Sequence, residues 1–103
     1  MQPGFKAMNS ALALSLLRQH KAELTARFGI NYLALFGSVS RDEATSTSDI
    51  DILVDFNGPA TSLRYYGLQF FLEDLFGCSV DLVTTKALRN ELRPYIEKDA
   101  LRV

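Results

Sequence analysis

Two aspartates separated by one residue, Asp49 and Asp51, are the part of this sequence best suited to chemistry. They begin the run DIDILV over residues 49–54, whose alternation predicts a strand. Residues two apart in a strand share a face, with Cα atoms roughly 6.5 Å apart, so Ile50 and Ile52 face the opposite side, toward the core. Two carboxylates this close repel each other unless a cation neutralises them or one takes up a proton. Mg²⁺, which prefers oxygen ligands and phosphates, suits such a pair.

A third carboxylate, Asp81, interrupts the apolar run of residues 80–83, which predicts another strand. If the two strands are neighbours, Asp81 can reach the site of Asp49 and Asp51. Three converging carboxylates can hold two divalent ions about 3.5–4 Å apart, the arrangement that serves in-line phosphoryl displacement. An exposed strand face without any site explains the D-x-D spacing equally well, so the pair alone does not decide.

The pair Gly37-Ser38 lies at the end of an apolar run, residues 32–36, that predicts a buried strand. A glycine between a strand and a helix lets backbone N–H groups approach a phosphate without a Cβ in the way, and Ser38 adds a hydroxyl donor. An ordinary strand-to-helix turn would look the same. The combination of Gly37-Ser38, ten intervening residues, Asp49-x-Asp51 and a later carboxylate favours a phosphate site.

The apolar pattern around these residues predicts the order helix, strand, short helix or loop, strand, helix, strand, helix. The first helix follows a cap at Asn9 or Ser10 and ends at Gly29, and the last is interrupted or restarted at Pro94. We therefore predict an α/β (α+β) fold, a small mixed three-stranded sheet with helices packed on it. Residues 1–9 are expected to be a disordered tail, and residues 10–103 one domain.

The third predicted helix is capped by Thr61 or Ser62 and stops near Gly77. Its helical spacing predicts an inward face made of Leu63, Tyr66, Phe70 and Leu75.

The amino-acid composition and net charge argue against several classes of function. The 103 residues carry 11 Lys and Arg against 12 Asp and Glu, a net charge of −1, which offers no basic surface for nucleic acid or for a membrane. Unbroken apolar runs fall far short of the ~20 residues needed to span a bilayer. The single cysteine, Cys78, cannot form an internal disulfide, which fits a reducing compartment. We expect a cytoplasmic protein without stable nucleic-acid binding.

The run GSVSRDEATSTSDIDILVDF resembles the G-S-x₁₀-D-x-D signature of the polymerase-beta-like nucleotidyltransferase superfamily. More closely, the chain from about Leu14 to its C-terminus resembles the minimal nucleotidyltransferases of prokaryotes. The resemblance implies that Gly37 and Ser38 hold the triphosphate of ATP, and that Asp49 and Asp51 bind Mg²⁺. Asp81 would complete the metal site, two ions in all, and help to deprotonate an acceptor hydroxyl that attacks the α-phosphate.

The same resemblance extends to Arg41, at a position where arginine is common in the family. There it would contact phosphates as a bidentate donor. The family often continues with glycine, whereas this chain has Asp42. That departure leaves the local loop geometry open.

Minimal nucleotidyltransferases are often encoded beside a HEPN-domain protein that resembles a ribonuclease toxin. The resemblance implies an antitoxin that transfers AMP to a tyrosine of that toxin, in a hetero-oligomer or as a homo-oligomer. Two alternatives stay open. The first is an antitoxin that neutralises the toxin by binding alone, and the second is a nucleotidyltransferase that acts on a small molecule or RNA.

Overall fold

The computed structural model describes residues 8–103. Within them the chain forms five α-helices, one short 3₁₀-helix and four strands. In chain order these are α1 (Ser10–Gln19), α2 (Lys21–Phe28), β1 (Ile30–Phe36), α3 (Gly37–Ser40), β2 (Ile50–Phe56), α4 (Ser62–Phe76), β3 (Val80–Thr84), the 3₁₀-helix (Thr85–Ala87), α5 (Arg93–Asp99) and β4 (Leu101–Arg102).

The strands form one mixed sheet in the order β3-β2-β1-β4. Strand β1 is antiparallel to β2 and β4, whereas β2 and β3 are parallel and connected by α4. The predicted α/β (α+β) class, with helices packed on a small mixed sheet, is confirmed. The predicted number of three strands is wrong, because β4 adds a fourth. β4 is only two residues long, so its sequence has no alternation that could indicate a strand.

The N-terminal helical region is two helices rather than the single one predicted. They meet at His20, which ends α1 and precedes α2. Asn9 caps α1, its side chain accepting from the Leu12 amide, and Gly29 ends α2 in a left-handed conformation, as predicted. Residues 1–7 of the predicted tail lie outside the described residues; Met8 packs against the core.

Helix α4 begins after its predicted cap, Thr61, and ends at Gly77. The predicted inward face of this helix is wrong at three of its four positions; the fourth, Leu75, is partly buried and packs against the core. Leu63, Tyr66 and Phe70 are exposed, whereas Leu68 and Leu72 are fully buried. Apolar residues occupy most of the circumference of α4, so helical spacing alone does not identify the face that packs on the sheet.

The two faces of the sheet are covered by different helices. The larger core lies between one face and α1, α2, α3 and α4. Pro94 lies in the first turn of α5, so the last helix begins there, as the sequence allowed. On the other face, α5 and the residues before it cover a smaller cluster centred on Phe36, Leu53 and Leu88. No helix among residues 8–103 is long and apolar enough to cross a membrane.

Candidate active site

Asp51 and Asp81 are direct neighbours on adjacent strands. The parallel pairing of β2 with β3 places Asp51 opposite Asp81, on the face covered in part by α5. Ile50 and Ile52 point to the other face and are fully buried, which fixes the register that turns the carboxylates outward. The predicted role of Asp81 was conditional on the adjacency of these two strands, and the structure meets that condition.

Asp49 lies one residue before β2 and is exposed. The amide of Ile50 donates to the carbonyl of Ser79 at 3.0 Å, so the chain at Asp49 already runs beside the start of β3. The charge of Asp49 reaches Asp51 and raises the pKa of that group. Asp49 thus belongs to the same acidic region as the Asp51–Asp81 pair.

The pKa of Asp51 is raised from its ordinary value to about 6. Burial is the largest cause, followed by the negative charges of Asp81 and Asp49, while the positive charge of Arg41 acts in the opposite direction. The two like-charged neighbours and the loss of water both disfavour the carboxylate form of Asp51. This side chain therefore holds a proton more readily than an exposed aspartate does.

Gly37 lies directly against the Asp51 carboxyl group. Phe36, the last residue of β1, pairs with Asp51, and the next residue turns into α3 with φ +76°. A Cβ placed on Gly37 would lie 2.1 Å from Asp51 Oδ2 and 2.9 Å from its Cγ. The left-handed backbone and the close approach both disfavour a larger residue, which would strain the turn and displace the Asp51 side chain.

Ser38 follows Gly37 as the second residue of the short helix α3 and is partly exposed. Val39 anchors this helix, since its side chain is buried in the larger core. Ser40, which the sequence analysis did not single out, donates from its hydroxyl to the Gly37 carbonyl at 2.7 Å. These contacts fix the turn that presents Gly37 and Ser38 next to Asp51.

Arg41 follows α3 and forms two ion pairs. Its Nε donates to Glu43 at 2.9 Å and its Nη1 to Asp99 of α5 at 2.5 Å. These partners raise the pKa of Arg41. Arg41 is also close enough to Asp51 to lower its pKa, so the structure brings the guanidinium to the acidic region.

A family model for the nucleotidyltransferase domain matches residues 17–103, which is most of the chain. The chain belongs to this family. A relative named protein adenylyltransferase MntA, from Thermococcus cleftensis, is 39% identical over 89 residues, which span 86% of this chain and 90% of the relative.

Solved structures agree with this assignment. One, provisionally described as a minimal nucleotidyltransferase, superposes with a TM-score of 0.74 at 35% identity, over 88% of this chain and 95% of that chain. A second is a tri-AMPylated HEPN toxin from Shewanella oneidensis in complex with MNT antitoxin. It gives a TM-score of 0.62 at 21% identity, over 85% and 69% of the two chains, which shows the fold alone. The predicted minimal nucleotidyltransferase family and enzyme class are confirmed.

In this nucleotidyltransferase, the donor set of the acidic region fits a hard divalent cation. Asp49, Asp51 and Asp81 offer only carboxylate oxygens, which Mg²⁺ prefers. The pKa of Asp51 is raised first by burial and then by repulsion from Asp81 and Asp49, and a cation would relieve that repulsion. Within residues 8–103, however, no three acidic, histidine or cysteine side chains converge as a ready-made metal site. The three-carboxylate metal site therefore stays a prediction.

The nucleotidyltransferase also has a set of polar contacts that sequence analysis missed. Strand β3 is at the edge of the sheet, and three side chains of α4 bind its outer backbone groups. The hydroxyl of Tyr65 donates to the Leu82 carbonyl, Gln69 donates to the Val80 carbonyl at 3.1 Å, and Glu73 accepts from the Val80 amide at 3.1 Å. We call this set the edge ladder; its members recur every four residues, a spacing that one helix face provides.

Two further polar side chains near the acidic strand have structural partners. Asp55, on the same face of β2 as Asp51, accepts from the Thr85 hydroxyl at 3.0 Å. Arg64 donates to the carbonyl of Asn57 at 2.5 Å and so ties together the turn before α4. Asp55 thus serves the contact between β2 and the 3₁₀-helix.

Proposed function

We propose that this nucleotidyltransferase is an antitoxin that transfers AMP from ATP to a hydroxyl group, that of a tyrosine, on a HEPN-domain partner protein. The relative named protein adenylyltransferase supports transfer of AMP to a protein. The similar complex of an AMPylated HEPN toxin with MNT antitoxin supports the class of partner. The observation that carries the proposal for this chain is the Asp51–Asp81 pair directly beneath the Gly37 backbone.

The phosphate chain of ATP would bind at the turn after β1. The backbone at Gly37 and the hydroxyl of Ser38 are the donors there, and Arg41 adds positive charge next to them. Asp49, Asp51 and Asp81 would hold two Mg²⁺ ions, which neutralise phosphate charge when bound. Positioning and charge neutralisation are the main demands of this kind of transfer.

The acceptor oxygen forms a bond to the α-phosphorus, and the bond from that phosphorus to the bridging oxygen of the β-phosphate breaks. Pyrophosphate leaves and AMP stays on the acceptor. The proton of the hydroxyl group passes to a carboxylate, for which Asp81 is suited because it is exposed beside Asp51.

The test is the intact mass of the HEPN-domain partner after incubation with this chain, ATP and Mg²⁺. We expect the mass to rise in whole AMP units with the wild-type chain and not with the double variant Asp49→Asn, Asp51→Asn. The matched control is Asp55→Asn, which removes one carboxylate from the same strand face away from the pair and should leave the mass gain intact.

The outcomes separate the alternatives. A mass gain that survives the double variant would overturn the assigned residues. No mass gain with a stable complex would favour neutralisation by binding alone. No gain and no complex would place the acceptor outside the HEPN class and favour a small molecule or RNA. Omission of Mg²⁺ in the presence of a chelator should abolish the gain if the metal assignment holds.

A further inference from the structure

The loop after α3 is attached to the start of α1 by one side chain. Asp42 accepts two hydrogen bonds from Ser10, at 2.8 Å from the Ser10 amide to Oδ1 and at 3.0 Å from its hydroxyl to Oδ2. We call this contact the Asp42 clasp. It joins residues that are 32 apart in sequence, and it adds to the cap that Asn9 already provides for α1.

Asp42 adopts an unusual backbone conformation to make this contact. Its φ is +57°, and it is the one non-glycine residue with positive φ among residues 8–103. Aspartate tolerates the left-handed region better than most residues, yet glycine would adopt it without strain. The advantage of Asp42 over glycine at this position is therefore its carboxylate, whose two oxygens both accept hydrogen bonds from Ser10.

The clasp is directly connected to the turn that carries Gly37 and Ser38. The amide of Asp42 donates to the Val39 carbonyl at 3.1 Å, and the next amide, that of Glu43, donates to the Ser38 carbonyl at 2.9 Å. The preceding amide, of Arg41, donates to the Gly37 carbonyl at 3.2 Å. Residues 41–43 thus close the turn of residues 37–39, and a shift of one segment moves the other.

The closed turn is held from two sides. On one side the Asp42 clasp attaches it to α1, and on the other side Arg41 attaches it to Asp99 of α5. Helix α3 has only four residues, too few to be rigid by itself. Its position next to Asp51 therefore depends on the elements to which it is attached.

We propose that Asp42 is a positioning residue that, through Ser10, holds the Gly37-Ser38 turn and Arg41 in the arrangement that binds nucleotide. This inference rests on the proposed function, because it assigns Asp42 to the nucleotide step of that reaction. Asp42 acts through the turn and not by contact with the nucleotide.

The sharpest variant is Asp42→Gly, since it removes the carboxylate while keeping the left-handed backbone free of strain. We expect the dissociation constant for a non-hydrolysable ATP analogue with Mg²⁺, measured by calorimetry, to rise about 5- to 20-fold. The melting temperature should stay within a few degrees of the wild type, because relief of strain offsets the lost hydrogen bonds. Ser10→Ala should weaken binding less, since the Ser10 amide still donates.

The double variant Ser10→Ala, Asp42→Gly should bind no more weakly than Asp42→Gly alone, because both changes remove the same contact. The matched control is Thr61→Ala, which removes the side-chain cap of α4 at the opposite end of β2. It should lower the melting temperature and leave the dissociation constant unchanged. Equal affinity of Asp42→Gly and the wild type would overturn the inference while leaving the proposed function standing.

A second measurement needs no nucleotide. In two-dimensional amide spectra, Asp42→Gly should shift the resonances of Gly37 and Ser38, and Thr61→Ala should not. Unshifted resonances would overturn the inference even if the affinity changed. If the wild-type chain fails to bind the analogue while these shifts appear, the proposed function fails at its nucleotide step and the role of Asp42 reduces to holding the turn.

Discussion

The two faces of the sheet differ in how completely they are covered and in what they carry. Helices α1, α2, α3 and α4 cover one face, where a continuous cluster of buried apolar side chains includes Leu17, Leu35, Ile52, Leu68 and Leu72 at zero exposure. On the other face the buried cluster has four members, and the carboxylates of Asp51 and Asp81 lie beside it. Burial of apolar area is the main source of stability, so the first face carries most of it.

In this small domain, the partly buried carboxylate of Asp51 lies on the sheet face that contributes less to stability. Residues of β2 alternate, so Ile50, Ile52 and Val54 secure the strand from the covered face while Asp51 faces the other way. The raised pKa of Asp51 shows that the carboxylate is disfavoured where it stands. The free-energy cost of the Asp51 carboxylate is thus offset by the burial of the isoleucine and valine side chains on the opposite face of the same strand. We call the two sides the packed face and the charged face.

The largest effect is expected for Gly37→Ala, a substitution that alters only the charged face. The added Cβ would lie 2.1 Å from Asp51 Oδ2, so the Asp51 side chain or the turn must move. We expect AMP transfer to the HEPN-domain partner to fall at least ~100-fold, since misplacement of about 1 Å can cost that much. The measurement is the initial rate of transfer, combined with urea unfolding.

The matched control for that variant is Gly77→Ala. Gly77 also has positive φ, at +69°, but a Cβ there meets nothing within 4 Å. Both variants should lose about 1 kcal/mol from backbone strain. Gly37→Ala should lose more, because its Cβ must displace Asp51, and only Gly37→Ala should lose activity. Equal activity of the two variants would show that the contact between Gly37 and Asp51 does not organise the charged face.

The packed face and the charged face also differ in how far sequence predicts them. The alternation in β2 correctly predicted that Ile50 and Ile52 are buried, because a two-residue period is a local property. The packing face of α4 could not be predicted in the same way. Leu63 and Phe70 fit a helical stripe as well as Leu68 and Leu72 do, and only the position of the sheet decides between them.

Sequence predicted which residues belong to the candidate site, but it did not predict which of them touch. Spacing identified Gly37, Asp51 and Asp81 as candidates, whereas the order of the strands was left open and came from the structure. The contact of Gly37 with Asp51 depends on the antiparallel register of β1 and β2, which no local pattern contains. The clasp from Asp42 to Ser10 likewise joins distant segments, and its sequence signal was only a departure from the glycine that the family resemblance suggested.

A smaller effect is expected from the titration of Asp51. Its pKa is about 6 in the folded chain and about 3.8 when exposed, so the folded state binds the proton more tightly. The contribution of this group to the free energy of unfolding is therefore greatest below pH 4 and is lost as the pH rises through 6. A shift of this size is worth up to about 2 kcal/mol after allowance for partial exposure.

Asp51→Asn removes this cost, so it tests the charged face without touching the packed face. At pH 8 and without divalent metal, the variant should be about 2 kcal/mol more stable than the wild type in urea unfolding, and at pH 4 the two should agree. Asp55→Asn is the control for a carboxylate of the same strand face that has a hydroxyl partner. A stability difference between Asp51→Asn and the wild type that is independent of pH would contradict the proposed cost.

The smallest effect is expected where the two faces meet, at the edge of β3. Tyr65→Phe removes one bond of the edge ladder, the one to the Leu82 carbonyl, and should lower the free energy of unfolding by about 1 kcal/mol. The control is Tyr66→Phe, because the Tyr66 ring packs edge-on against Tyr65 and its side chain is exposed. The pKa of Tyr65 is raised first by burial and then by the negative charge of Asp81, so the two groups are close. Loss of the bond should therefore also slow AMP transfer a few-fold. If Tyr65→Phe lowers the free energy of unfolding and leaves the rate of transfer unchanged, the edge ladder stabilises the packed face alone. If stability and transfer rate fall together, α4, which builds the core, also holds Asp81 opposite Asp51.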